Sequence, residues 1–340
     1  MSGRNPPSQG SARRNTPTAS ASTTTPSARQ PATPAKQIPH RPAGTANSAS
    51  ASRGAAENPG ARTNNARPTP KPRWADLAKP VPPLPLDTPF IQGAIAGLDL
   101  QKKQASLGNT IQVQELHKQY ERHADNVLVV VTSQNQHECD LLFSAVNAHK
   151  PNKACLVRID NPGWSGVGDQ AYEGAGAVGA HNRVFSALGT LFVMPMYVRF
   201  LKEKKIGTVI VGAVENFIVR PRAAAGVDPA TKELVTNCPV DWGFVAFCRV
   251  RLAADPAFKW TTAVTQGAPV PLNHIFTAAT AGFENEQKTF GKVSIGKVIG
   301  EKGLKNEKGW DEADWQVRLI GKSWYDMLLD ALAKVRIPWS

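Results

Sequence analysis

The segment whose residue types and spacing could do chemistry is GAGAVG at 174–179, which satisfies the G-x-G-x-x-G pattern of dinucleotide-binding proteins. In that chemistry the glycines lie at the turn between a strand and a helix, so that a pyrophosphate meets the helix N-terminal amides. Here the preceding predicted strand ends near Ile159, well upstream, and no acid stands at a strand end about twenty residues later. We therefore interpret the glycine-rich stretch 161–180 as a flexible surface loop, and a nucleotide-type site there stays an alternative.

Histidine and cysteine residues do not form a metal-ligand pattern. His117 and His123 are six residues apart, which places them on different faces of a helix, and His137 with Cys139 lacks a second pair. The four cysteines are far apart, which favours reduced thiols in an intracellular setting. The sequence also contains no G-x-x-x-x-G-K-[ST] and no G-x-S-x-G segment. We predict no metal, no cofactor and no catalytic residue, and expect that the protein is not an enzyme.

Basic residues are concentrated at the N-terminus. Residues 1–73 contain eleven Lys or Arg and one acid, a formal charge of +10, whereas the remaining chain has 29 bases and 26 acids and contributes only +3. This segment has no aromatic residue and almost no large aliphatic one, so it cannot bury enough apolar surface to fold, and we predict a disordered tail. An unstructured basic arm attracts phosphate backbones without reading the base sequence. The predicted phosphate-binding residues of the tail are Arg4, Arg13, Arg14, Arg29, Arg41, Arg53, Arg62, Arg67, Lys71 and Arg73.

Two further basic groups lie beyond the tail. Lysines spaced by glycines run through 288–308, and Lys292, Lys297, Lys302 and Lys305 are predicted as a second nucleic-acid contact, with a lysine-protected sheet edge as the alternative. Arg220 and Arg222 lie in VRPRAAAG, which we interpret as a solvated turn.

The elements that must position these residues indicate an α/β (or α+β) fold. Aliphatic runs predict buried strands at 126–132 and 154–159, and further strands at 207–214, 243–252 and 292–300. Helical spacing predicts helices at 109–124, 136–150, 182–205 with a break at Pro195, and 315–337 with Gly321 as a weak point. The order strand, helix, strand over 126–159 predicts a parallel βαβ unit in a mixed sheet with packed helices.

Three parts of the chain follow from this pattern. Residues 1–73 form the tail, 74–90 a proline-rich segment that is either a strap on the domain or a plain linker, and 91–340 a single globular α/β domain. No apolar run is long enough to span a bilayer and the N-terminus lacks the apolar core of a secretory signal, so we expect an intracellular protein without membrane contact.

A long basic tail ahead of one compact domain resembles the layout of coat proteins and nucleoproteins of RNA viruses. The abundance of Pro, Ala and Ser is similar to that of the proline-alanine-serine-rich proteins that coat double-stranded RNA in some fungal viruses. The resemblance covers architecture and composition and carries no residue roles. It implies an RNA-binding structural protein that coats or condenses a viral genome through its tail while the domain self-associates, located in the virion or the host cytoplasm. The alternatives are a non-structural nucleic-acid-binding factor, of the movement or silencing-suppressor type, and an enzyme with a nucleotide-type site at 161–180.

Overall fold

The computed structural model describes residues 79–108, 126–220, 238–252, 258–301, 308–337 and 339. The predicted tail at 1–73 and the predicted helix at 109–124 lie outside these residues.

A mixed sheet forms the centre of the domain. Its strands are β1 (Asn126–Val131), β2 (Cys155–Asp160), β3 (Gln170–Tyr172), β4 (Ile206–Val219), β5 (Val240–Arg251), β6 (Phe258–Val264), β7 (Ala268–Pro269) and β8 (Phe290–Gly291). Strand β1 is parallel to β2 and to β4, whereas β5 is antiparallel to β4, β6 and β7. The fold is therefore α/β with a mixed sheet, and the parallel βαβ unit over β1 and β2 is confirmed.

Helices cover both faces of this sheet. They are α1 (Pro89–Ala96), α2 (Leu100–Gly108), α3 (Gln136–Ala148), α4 (Ala175–Val193), α5 (Pro195–Glu203), α6 (Leu272–Thr280), α7 (Ile295–Ile299), α8 (Gln316–Ile320) and α9 (Trp324–Leu332), with a 3-10 turn at Glu312–Asp314. Gly321 ends α8 in the left-handed conformation at φ 69°, which is why this position separates two helices.

Alternation along β1 shows how the sheet divides two cores. Val127, Val129 and Val131 pack on one face in a cluster that includes residues of α3, α7 and α9. Leu128 and Val130 pack on the opposite face with residues of α4 and α5. Both faces are buried, which explains why the sequence of β1 is a continuous aliphatic run.

Strand β4 carries three neighbours and leaves a gap between two of them. Strand β5 pairs along almost the whole of one edge. On the other edge β1 ends its register at Gly212, and β3, also parallel to β4, begins at Phe217. Residues 213–216 of β4 therefore lie between these two partners, at the carboxyl end of β1.

Residues 79–90 lie against the sheet. Val81 forms an antiparallel bridge with Gly267, and the indole nitrogen of Trp242 donates to the Pro82 carbonyl at 3.3 Å. Leu84 and Leu86 pack against the third apolar cluster, which contains Trp242 and Phe217.

Two of the predictions about strands were wrong. Residues 292–300 are not a strand: after the two-residue β8 the chain turns into α7, because Ser294 caps the helix by accepting from the Lys297 amide. Strand β2 is also not buried on both faces, since it lies at the sheet edge with partly exposed residues.

All four cysteines are free thiols. Among the described residues no single helix is long and apolar enough to cross a membrane. Helices α4 and α5 taken together have the length and composition of a span, but the pair is bent by 81° at the break between them.

Candidate functional site

The gap between β1 and β3, along the edge of β4, opens into a polar cleft of about 640 Å³. Its walls come from the turn after β1, the loop after β2, residues 214 and 215 of β4, and the start of α7. In open α/β sheets, ligands bind outside the carboxyl ends of the strands at a topological switch point, where the strand order reverses. The chain leaves β1 through α3 on one face to reach β2, and it returns through α4 on the opposite face to β4 on the other side of β1, so the carboxyl end of β1 beside β4 is such a point.

Glu215 is the charged residue at the base of this cleft. Its side chain is 9 % exposed, and Oε2 accepts from Arg183 Nε of α4 at 2.6 Å. Burial raises the pKa of Glu215, and the nearby Glu138 adds to this, whereas the Arg183 charge and hydrogen bond oppose it. Arg183 Nη1 also donates to the Gly163 carbonyl at 2.8 Å, so this side chain links the loop after β2 to β4.

Glu138 is held on the opposite wall by two donors. The Ser133 hydroxyl donates to Oε2, and Trp324 Nε1 of α9 donates to Oε1 at 2.8 Å. Asn135 caps α3, since its Oδ1 accepts from the amides of His137 and Glu138. The turn directly after β1 is thus fixed by its own side chains, with Glu138 in the first turn of the helix where a carboxylate is favourable.

The remaining wall comes from the region of β8 and α7. Ser294 donates to Glu312 Oε1 at 3.0 Å, and both residues line the cleft together with the exposed Lys297. In all, five carboxylates and two basic side chains line the cleft: Glu138, Asp169, Glu215, Glu284, Glu312, Arg183 and Lys297. A surface with this excess of negative charge attracts cations and repels a bare polyanion.

A smaller chamber of about 320 Å³ shares Asp169, Glu215, Ser294 and Glu312 with the cleft. Asp241 of β5 lies at its edge, only 4 % exposed. Its Oδ2 accepts from Gln316 Nε2 at 3.0 Å, whereas Oδ1 has no hydrogen-bond partner among the described residues. Burial raises the pKa of Asp241 to about 8, against a smaller lowering by the Gln316 bond.

The prediction of a flexible loop at 161–180 was wrong in its second half. Residues 170–172 form β3, and α4 begins at Ala175 inside the GAGAVG segment. A β-carbon at Gly174 would lie 2.6 Å from the Phe90 carbonyl oxygen, and one at Gly176 would lie 2.5 Å from the Phe217 side chain. These glycines allow close packing of α4 with α1 and β4.

The first half of the same stretch does belong to the cleft. Gly163, Trp164, Ser165, Gly166 and Gly168 all line it. The glycine-rich composition of 161–180 therefore marks a loop at a ligand-sized cleft, although the G-x-G-x-x-G segment itself is packed into a helix.

The basic residues predicted from the sequence are distributed as follows. Lys297 is exposed and lines the cleft, and Lys292 is exposed outside it. The predicted contacts that lie outside the described residues are Arg4, Arg13, Arg14, Arg29, Arg41, Arg53, Arg62, Arg67, Lys71, Arg73, Lys302 and Lys305.

Arg220, interpreted from sequence as part of a solvated turn, is instead engaged in the fold. It donates from Nε and Nη2 to the two carboxylate oxygens of Glu173, both at 2.8 Å, and its guanidinium lies 5.0 Å from the Tyr172 ring centre. Arg222 lies outside the described residues.

Within the part of the chain that the structure describes, no group of three or more His, Cys, Asp or Glu side chains is arranged to hold a metal ion. His137 stacks on Tyr325 with ring centres 4.0 Å apart, and Cys139 is buried.

Sequence reasoning missed Glu138, Arg183 and Glu215. One local feature marks Glu215: it is an acid inside the otherwise apolar run VGAVENFIV of β4. A buried carboxylate in such a strand is costly unless it is paired, so an acid at this position indicates a dedicated partner or a role.

No protein-family model matches the chain, and no curated protein matches it. A solved structure to which it is similar is protein VC0702 from Vibrio cholerae, with 14 % identity, 60 % of this chain and 90 % of that chain covered, and a TM-score of 0.36. The fold and the cleft themselves define a mixed-sheet α/β domain with a polar cleft at the carboxyl end of β1, between β1 and β3 along β4.

Proposed function

We propose that the folded domain binds a small phosphorylated ligand, of the nucleotide or sugar-phosphate class, in the cleft between β1 and β3 along β4. The observation that carries this proposal is the ion pair between the partly buried Arg183 and the buried Glu215, at the base of a cleft of about 640 Å³ at the carboxyl ends of parallel strands. Burying a charged pair costs desolvation energy and is weak evidence for a purely stabilising role.

The chemistry of the lining indicates how such a ligand binds. Among the described residues, Arg183 uses two of its five N–H groups on Glu215 and Gly163, which leaves donors for a phosphate oxygen. The five carboxylates require a cation beside the phosphate. Mg²⁺ is commonly held by one or two carboxylates together with the phosphates of a substrate, so we infer that the ligand enters as its Mg²⁺ complex.

Glu215 gives the cleft a group suited to proton transfer. A carboxylate whose pKa is raised by burial is a better base than an exposed one near neutral pH. Hydrolysis of a phosphoanhydride or phosphoester is therefore the reaction class to assay once a ligand is found.

The test is thermal unfolding of the full chain against ribonucleoside phosphates and hexose phosphates, each with and without Mg²⁺. A ligand at one hundred times its Kd stabilises by about 2.7 kcal/mol. We expect stabilisation by at least one compound, reduced in Lys297→Met and retained in Lys292→Met, because only Lys297 of this pair lines the cleft. No stabilisation by any compound, or equal loss in both variants, contradicts the proposal.

A second function is favoured by the segregation of charge. Residues 1–73 carry +10 of the formal +13, and the cleft is rich in carboxylates. We propose that RNA is bound through this N-terminal segment rather than through the cleft. Self-association of the domains then combines many weak phosphate contacts, so that the protein coats or condenses a viral genome.

This second function predicts a salt-dependent affinity that belongs to residues 1–73. Deleting them, or replacing their ten predicted phosphate-binding Arg and Lys residues by Gln, is expected to lower RNA affinity and to flatten its dependence on salt, while Lys150→Met, at an exposed lysine outside every predicted contact, leaves both unchanged. Unchanged affinity and slope in the deletion refute the RNA assignment. Electron micrographs of the full chain with RNA test coating, since a coat gives filaments or shells and a non-structural factor does not.

A further inference from the structure

Trp164 is an unusually exposed aromatic residue at the rim of the cleft. Its side chain is 74 % exposed, more than that of the other exposed large hydrophobic residues described. Those other residues are Val193, Met194, Met196, Leu272, Phe276, Val317 and Leu329, and none of them lines the cleft. Single exposed apolar side chains are ordinary in proteins, so the position of Trp164 matters more than its exposure.

The backbone of the loop around Trp164 is anchored on α4. Its amide donates to Ser186 Oγ of α4 at 3.2 Å. A β-carbon at Gly163 would collide with the Arg183 carbonyl oxygen, so the chain before Trp164 lies directly on α4. Gly166 has φ +67°, and a β-carbon there would lie 2.8 Å from the indole ring. The indole therefore rests against Gly166, a position where any larger residue would both strain the backbone and displace the ring.

The surroundings of the ring point to a planar partner. Trp164 lines both the cleft and an adjoining groove of about 420 Å³, which also contains Leu107 and Phe185. Lys103 and Asn182 also line this groove: Lys103 Nζ donates to Asn182 Oδ1 at 3.1 Å, and Asn182 Nδ2 donates to the Ser165 carbonyl at 2.8 Å. An indole with both apolar and polar neighbours suits an aromatic ring that carries heteroatoms.

The position of the charged end of the cleft fits the same ligand. In the proposed function Arg183 donates hydrogen bonds to the phosphate. Its Nη1 also donates to the carbonyl of Gly163, the residue directly before Trp164. The indole is thus on the loop to which the guanidinium of Arg183 is hydrogen-bonded, so a ring on the indole and a phosphate on the guanidinium lie at adjoining parts of the cleft. Among phosphorylated ligands, a nucleotide has a planar ring and phosphates at its two ends, whereas a hexose phosphate has no planar ring.

We infer that Trp164 is the stacking residue for the nucleobase of a nucleotide bound in the cleft. The inference rests on the proposed binding of a phosphorylated ligand, and it selects the nucleotide within that class. Trp164 acts here as a specificity-determining residue.

The test compares ligands with and without a ring on the full chain. Calorimetric titrations with Mg²⁺ use each of the four common ribonucleoside triphosphates and inorganic tripolyphosphate, on the wild type, Trp164→Phe, Trp164→Leu and Trp164→Ala. Stacking on an aromatic residue is worth about 1–3 kcal/mol per base, so nucleotide affinity is expected to fall roughly five-fold to 150-fold in the Leu and Ala variants. The Phe variant is expected to keep most of the affinity, and tripolyphosphate affinity is expected to stay unchanged in all four proteins.

Each other outcome has a definite meaning. If the wild type binds nucleotides and the Leu and Ala variants bind them equally well, or lose tripolyphosphate binding to the same extent, the stacking role is wrong while the proposed function stands. If the wild type binds none of these probes, the proposed function fails for nucleotides and the inference fails with it. A single-stranded RNA oligonucleotide is titrated in the same way, and if Trp164→Ala weakens the binding of this probe alone, the ring belongs to an RNA surface and the inference is overturned. Melting temperatures of the variants show that the comparison is made on folded protein.

Discussion

Replacing Asp241 by Asn is expected to change how the stability of the domain depends on pH. Asp241 is buried, its Oδ1 has no partner among the described residues, and burial raises its pKa from an ordinary 3.8 to about 8. Between these two values the folded protein holds a proton that the unfolded chain releases. The free energy of unfolding contributed by this group therefore decreases as pH rises through this window, by about 1.4 kcal/mol per pH unit.

From pH 5 to pH 8 this decrease amounts to roughly 4 kcal/mol. The side chain introduced by Asp241→Asn cannot ionise but still offers an oxygen to Gln316 Nε2. The stability of the variant relative to the wild type is therefore expected to rise by this amount between pH 5 and pH 8. The assay is urea unfolding followed by tryptophan fluorescence at several pH values in this range. Other titrating groups act equally in both proteins, so the difference between the two curves isolates Asp241.

The exposed Asp87 supplies the matched control, since Asp87→Asn is expected to change stability by less than about 0.5 kcal/mol at every pH. Parallel stability curves for the wild type and Asp241→Asn would show that burial does not control the charge of Asp241, and would refute the reasoning.

Two further substitutions test the packing and the charged pair. Gly176→Ala places a β-carbon 2.5 Å from the Phe217 side chain, and urea unfolding is expected to show a loss of about 1–3 kcal/mol, whereas Gly189→Ala in the same helix, where nothing lies within 4 Å, is expected to be neutral or stabilising. Arg183→Met leaves Glu215 buried without its cation, and a loss of about 3–5 kcal/mol is expected, partly restored by adding Glu215→Gln; a loss that the second change does not reduce would contradict the pairing argument.

The parts of the fold that were predictable from the sequence are those whose local pattern and tertiary environment agree. Strand β1 and the first half of β4 are continuous aliphatic runs because both faces of the sheet are covered, and α3 is marked by its spacing and by Asn135 before it. The break between α4 and α5 follows from Pro195, which starts the second helix.

The errors arise where tertiary contacts override the local pattern. Residues 292–300 alternate β-branched residues with small or polar ones, as a strand does, yet Ser294 caps a helix whose Gly296 lies against the Glu312 backbone. GAGAVG suggested a loop because glycine is common in loops, whereas here the absence of β-carbons lets α4 approach Phe217 and Phe90.

The site itself depends on pairs that are far apart in the chain. Arg183 and Glu215 are 32 residues apart, and Glu138 and Trp324 are 186 residues apart. One sequence does not show which distant residues meet. The sequence therefore marks the loop at 161–169 and Lys297, but not the residues that bond to one another at the base of the cleft.

The central claim is that the cleft between β1 and β3 along β4 is the ligand site. Hydrogen–deuterium exchange of the full chain tests this claim most directly. The exchange is measured with and without Mg²⁺ and a saturating ribonucleoside triphosphate. We predict slower exchange of the amides at 133–138, 161–169 and 213–216, which border the cleft, with no change in α6, none of whose residues line it. Protection confined to other segments, or to residues 1–73 alone, would contradict the account.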